Sequence, residues 1–167
     1  MINAARRLAT SDGASRYGSR RTGTSIIELG LVVPVLLALL LGIVEFGWLM
    51  WGQLALANAT REGARAASLG RSAATVQNVI VRGAGNSRMV DGRVLIESAA
   101  PPAGGAAPAY TTYADCTGSS GCTASGAITG GDQIRLTSTL RHRQMTGFFP
   151  FLQDKVLIST VIIRREV

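Results

Sequence analysis

The stretch RRTGTSIIELGLVVPVLLALLLGIVEFGWLMWG, Arg20 to Gly52, decides the fold. Two arginines and a glycine lead into a short polar run and a long apolar segment. From Ile26 to Trp51 the only charged residues are Glu28 and Glu45. A core helix of a soluble protein rarely runs this far without a polar face. A bilayer is crossed by about 20 apolar helical residues, and this segment supplies them. The stretch therefore predicts one membrane-spanning helix, residues 24–52, near the N-terminus.

Charge sets its direction. Residues 1–23 hold Arg6, Arg7, Arg16, Arg20 and Arg21 against Asp12, a balance of +4 out of +7 for the 167-residue chain. Basic residues stay on the cytoplasmic side, so the N-terminus is expected inside and the C-terminal domain outside. Arg61, Arg65 and Arg71 beyond the helix reduce this asymmetry, partly offset by Glu62. The same location explains the high charge without nucleic acid, which is not expected as a partner.

Cys116 and Cys122, in CTGSSGC, bracket a Gly/Ser/Thr gap. They can close a disulfide loop, as suits an extracytoplasmic domain, or stay as two free thiols. No further thiol or nearby imidazole completes a metal site.

The leader, residues 1–23, is basic and has no apolar period. A secretory signal has its apolar region before the cleavage site. Here the processing point, Gly23, comes first, so the apolar helix would stay in the mature protein. Gly23-Thr-Ser-Ile-Ile-Glu28 resembles a prepilin peptidase site. In that family the cut follows the glycine and the fifth mature residue is a glutamate. The resemblance implies cleavage between Gly23 and Thr24, with Glu28 at the fifth position. A carboxylate at the edge of the apolar layer is costly unless paired. The new α-amine, on the same or a neighbouring chain, is one partner. An unpartnered acid at the water interface is the other reading. Leu29 departs from the pattern, since Flp-type pilins place an aromatic residue there.

Within the helix, Pro34 removes a backbone hydrogen bond. Gly30, Pro34, Ala38 and Gly42 recur every four residues, a spacing that admits a second helix or is merely tolerated. Glu45 has three open readings: an interface position near Trp48 and Trp51, a protonated acid, or a hydrogen bond across helices. Beyond Gly52 the pattern continues to about Leu69, a helix of roughly 65–70 Å from Ser25. Ala55, Ala59, Gly63 and Ala67 form a second small-residue stripe, expected to present another face. Gly70 stops this helix and Ser72 opens another, to about Arg82, with Val76, Val79, Ile80 and Gly83 on one face.

Glu28, Pro34, Glu45 followed by Gly47, and the Arg61-Glu-Gly-Ala-Arg-Ala-Ala67 block resemble the TadE-like family of tight-adherence (Flp) pilus assembly proteins. The similarity covers residues 20–70 and, more loosely, 145–166. It implies a minor pilin or pseudopilin matured by prepilin peptidase after Gly23, with Glu28, Pro34 and Glu45 serving assembly. The implied partners are the peptidase, other pilin or TadE-like subunits, the inner-membrane assembly platform and the lipid bilayer. The implied location is the bacterial inner membrane as a single-pass protein with a periplasmic or extracellular domain, or the pilus itself. The alternative is an uncleaved, signal-anchored binding or adhesion protein.

Residues 83–132 read mostly as turns, with Arg93–Glu97 a short strand and Tyr110 and Tyr113 covering a small core. Gln133–His142 alternates as a strand. Lys155–Ile163 is a continuous β-branched run, expected to be covered on both faces. Phe148–Leu152, which joins the two, is expected to plug the core between sheet and helix, the alternative being an assembly contact with a neighbouring subunit. His142, between two arginines, is expected at a solvated strand end. No catalytic constellation and no cofactor motif is found, so the chain is not expected to be an enzyme. The expected fold is α+β and pilin-like: a leader (1–23), a membrane helix (24–52), a helical spine with a second helix (53–84), and a β-rich extracytoplasmic region with a small antiparallel sheet (85–167).

Overall fold

A computed structural model describes residues 21–85, 92–102, 104, 106–118, 121–125, 128–148, 150 and 155–166, with side chains from Ser25 onward. The leader up to residue 20, and Phe149, Phe151 and Leu152 of the expected aromatic plug, lie outside them.

The first helix, α1, spans Arg21–Ser68, and runs through Pro34 unbroken. Ser25–Ser68 is, among the described residues, the one helix long and apolar enough to cross a membrane. The chain divides into two units, residues 1–39 and 40–167. In the first, the large apolar side chains from Ile26 to Leu39 are exposed, as a helix solvated by lipid tails would require.

The second unit is built on the rest of α1. Its buried positions step by seven from Glu45 to Gly52 and then by four or three through Leu56, Ala59, Gly63 and Ala67, one face of a helix. Ala59, Gly63 and Ala67 of the second small-residue stripe therefore lie on this core face, with Ala55 half-buried. α1 ends where Gly70, at φ 71°, takes the left-handed conformation that a Cβ disfavours. There Gly70 N–H bonds Ala67 O, and Arg71 N–H bonds Ala66 O. Ser72 then caps α2, Ala73–Ala84, its hydroxyl accepting from Thr75 N–H. Val76 and Ile80 of α2 are buried, and Val79 is half-buried.

Five strands follow: β1 Arg93–Ala99, β2 Thr111–Thr117, β3 Cys122–Ala124, β4 Gln133–Arg141 and β5 Val156–Arg164. They form one antiparallel sheet in the order β3-β2-β1-β4-β5. The expected fold class, α+β with a small antiparallel sheet, is what is found. β2 and β3 correct the reading of this region as turns. TTYADCT alternates only weakly, but pairing with β1 buries Ala114 and Cys116.

The core consists of Leu56 and Ala59 from α1, Val76 and Ile80 from α2, and Val94, Ile96, Ala114, Ile134, Leu136 and Leu140 from the sheet, with smaller neighbours. The alternation read over β4 holds, with Ser138 completing the inward face. Buried among apolar neighbours, its hydroxyl pairs with Thr60, which also donates to Leu56 O at 2.6 Å.

Three expectations are corrected. β5 is an edge strand covered on one face: Leu157 is buried while Val156, Ile158 and Ile162 are exposed. Phe148 is exposed instead of filling the core. Of the tyrosines, Tyr113 packs against the core, but Tyr110 lies beneath the Arg135 guanidinium, 4.2 Å from ring centroid to carbon, and donates to Gln133. The sheet's outer face carries ion pairs. Arg135 grips Glu97 through two bonds of 2.6 and 2.9 Å, and Arg93 grips Asp115.

Candidate functional site

Glu45 is where the two parts of the helix's sequence change character. Toward the N-terminus α1 is exposed all round; from Glu45 onward one face is buried. A carboxylate in such a position must find donors, since transfer of an unpaired charge out of water costs several kcal/mol. It finds them after β4. That strand ends at Arg141, and the chain turns through His142 to Thr146 before returning as β5. Oε1 of Glu45 accepts from Met145 N–H at 3.0 Å; Oε2 accepts from Thr146 N–H at 3.2 Å and the Thr146 hydroxyl at 3.0 Å.

Two consecutive backbone N–H groups aimed at one anion make a small nest. Gly147, at φ 68°, supplies the left-handed residue that closes it, and Phe148 N–H returns to the Thr146 hydroxyl at 3.4 Å. His142 stands behind. Its backbone N–H bonds Lys155 O at 2.8 Å, pinning the two ends of the connection together. Its Nε2 lies 3.7 Å from Glu45 Oε1, with both side chains almost wholly buried. Among the described residues that nitrogen has no hydrogen-bond partner, and it faces the carboxylate. His142 is thus a buried residue, not the solvated strand end expected. Beside it a cleft of about 290 Å³ is lined by Trp48, Gly52, Leu140, Met145 and Leu157, among others.

The arrangement is a clamp. It fixes the β4–β5 end of the domain to one level of α1, and none of its groups forms a nucleophile–base pair. Of the open readings for Glu45, the hydrogen-bonded one is found, with the partners in its own chain instead of another helix.

The other residues singled out lie elsewhere. Gly23 and Thr24 fall in the first turn of α1. Glu28 and Pro34 are exposed on that helix. Cys116 and Cys122 are joined as a disulfide across the β2–β3 hairpin, six residues apart, which decides between the two readings of the thiols. Gln77 of α2 donates to Gly118 O at 2.7 Å and holds the hairpin tip to the helix. Among the described residues no group of three or more His, Cys, Asp or Glu side chains is placed to hold a metal.

Residues 23–65 match the TadE-like protein family. The TadE-like segment begins at Gly23, includes Glu28, Pro34 and Glu45, and stops within the Arg61–Ala67 block. It bears out the resemblance read from those residues; the likeness at the C-terminal ending lies outside it. No curated protein and no solved structure matches the chain. The clamp thus joins a TadE-like carboxylate to a turn beyond the matched segment.

His142, Met145 and Thr146 were missed as site residues. One signal was available: a lone acid in an apolar helix and a lone histidine each need a partner.

Proposed function

We propose that this chain is a minor pilin or pseudopilin of a tight-adherence pilus system, structural and not catalytic, anchored by a single membrane span. The observation that carries the reading is the TadE-like match, which opens at Gly23 and runs through Glu28 to Arg65. Prepilin peptidase cuts between Gly23 and Thr24. The α-amine released there pairs with Glu28 of its own or a neighbouring subunit and sets the register in which helices pack as they leave the bilayer. The N-terminus is cytoplasmic and the sheet domain lies outside. Other pilus subunits and the membrane assembly platform are the partners.

The burial of Glu45 supports a span shorter than 24–52. The uncharged run 29–44 covers about 24 Å at helical rise, a modest mismatch for a hydrocarbon layer of ~30 Å, which can thin locally. Glu28 then stands at one edge of the layer and Glu45, already satisfied by its clamp, at the other.

Intact-mass measurement on protein extracted from its native membrane tests the processing step. A mature chain beginning at Thr24 is expected. A chain still beginning at Met1 would favour the uncleaved, anchored binding protein instead. The register role is tested by Glu28→Ala, which is expected to be processed yet depleted from assembled pili; normal incorporation would remove that role.

A further inference from the structure

Four contacts set the height of the domain along α1. Glu45 meets Met145 and Thr146; Gln53 Nε2 donates to Ile158 O at 3.1 Å; Thr60 meets Ser138; and Ser68 O accepts from Glu166 N–H at 3.3 Å. β4 therefore descends along α1, β5 climbs it, and the turn between them lies at the Glu45 end. Glu45 and Gln53 are about 12 Å apart at helical rise.

The surface around this level carries exposed apolar and basic side chains together. Phe46 and Trp51 on α1, Met145 and Phe148 on the turn, and Val156 at the foot of β5 are each more than half exposed. Arg141, Arg143 and Lys155 project among them, all exposed, and no carboxylate among the described residues pairs with any of the three. Elsewhere on the sheet, Arg93 and Arg135 are both paired. Exposed apolar side chains interleaved with cations that no described carboxylate pairs, at the end of an apolar helix, have the chemistry of a membrane interface.

We propose that this end of the domain is a second membrane contact. Phe46, Trp51, Met145, Phe148 and Val156 enter the headgroup and upper acyl layer, and Arg141, Arg143 and Lys155 bind anionic lipid headgroups. The inference rests on the reading that the helix N-terminal to Glu45 spans the bilayer. The clamp supplies the continuity: by fixing the turn to Glu45, it delivers these side chains to the level at which the apolar run ends. Each cation near an anionic surface adds about 1 kcal/mol, so removing one weakens the contact roughly fivefold.

The test uses the full chain in vesicles, with Trp48→Phe and Trp51→Phe removing the native emission. Phe148→Trp is placed at the proposed contact and Leu36→Trp in the proposed span, each in a separate protein. Vesicles are made of phosphatidylcholine alone or mixed with phosphatidylglycerol, with bromines placed high or low on the acyl chains. Phe148→Trp is expected to be quenched more by the high bromines, and more strongly in the mixed vesicles. Changing Arg141, Arg143 and Lys155 to Gln is expected to abolish the difference between the two vesicle types. Leu36→Trp is expected to be quenched by the low bromines.

If Leu36→Trp is quenched and Phe148→Trp is not, the contact is wrong and the span stands. If Leu36→Trp escapes quenching, the span fails and the proposal with it. A blue-shifted Phe148→Trp emission that ignores brominated lipid would show that protein, such as a second copy, covers the patch, and would also overturn it. Equal quenching in both vesicle types would overturn the anionic headgroup assignment.

Discussion

Replacing Glu45 with alanine would leave two backbone N–H groups and the Thr146 hydroxyl facing a gap where a carboxylate had been. Buried donors left without an acceptor cost roughly 1–3 kcal/mol each, less where water can reach them. Met145 and Thr146 are exposed enough for that. We expect Glu45→Ala to cost about 3 kcal/mol in sum, and Glu45→Gln, which keeps one carbonyl but turns an NH2 toward a donor, about half as much. Thermal melts in detergent should rank wild type above Gln above Ala; an alanine variant that melts with the wild type would mean the clamp contributes nothing. A second prediction at this scale concerns pH. Arg93, bonded to Asp115, holds that carboxyl below its ordinary 3.8, and the hydroxyl and N–H of Thr129 do the same for Asp132. A depressed folded pKa contributes stability that is complete above the unfolded value and is lost as pH falls through the folded one. These two groups should therefore leave the urea midpoint unchanged between about pH 7 and 5 and lower it below about pH 4. Asp115→Asn together with Asp132→Asn should flatten that acid limb; an unchanged limb would assign it to other carboxylates.

Between elements, α1 and α2 approach closely. A Cβ at Gly63 would stand 2.6 Å from Ile80 Cδ1, and one at Gly83 would stand 2.9 Å from the Ala59 side chain. The small residues read as a stripe thus let the chain's own second helix close, a use for that spacing that needs no partner subunit. Gly63→Val should cost about 1–3 kcal/mol through overpacking, while Ile80→Val alone should cost about 1 kcal/mol. Together they should cost less than their sum, because Ile80→Val removes Cδ1, one of the two Ile80 carbons that crowd the new side chain. Strict additivity in urea melts would show that the two positions do not share the contact. Much of this level was legible in the sequence. Gly70 and Ser72 mark a helix end and a helix start by side-chain chemistry alone, and β4 announces itself by alternation. β2 was not legible, because its Thr, Tyr and Asp positions face outward and only Ala114 and Cys116 mark the inner face. The hairpin it forms depends on the bond to Cys122. Replacing both cysteines with serine should cost about 2 kcal/mol by the loop-closure relation, and reducing agent should lower the wild-type melt by a similar amount.

For the whole chain, the sequence made plain a helix long and apolar enough to cross a membrane, and its Leu, Val and Ile side chains from Ile26 to Leu39 are exposed. It could not show where that helix stops belonging to the membrane and starts belonging to the domain. Hydropathy does not change there: Phe46, Trp48, Leu49 and Met50 continue the apolar run past Glu45. The change is made by contacts about 100 residues away in sequence, at Met145 and Thr146, which carry no periodic signal. The division of the chain after Leu39 turns this into a test. A chain shortened to begin at Leu40 keeps more than one helical turn ahead of Glu45, enough to hold its carboxylate in the nest. It should melt in detergent within a few degrees of the full chain, because the large apolar side chains of Ile26–Leu39 are exposed. A chain shortened to begin at Phe46 loses the carboxylate and should fall by at least as much as Glu45→Ala, roughly 10–15 °C for a domain of this size. If the Leu40 chain gives no cooperative melt while the full chain does, residues 40–167 are not a self-sufficient unit, and the helix ahead of Glu45 must stabilise the fold as well as anchor it.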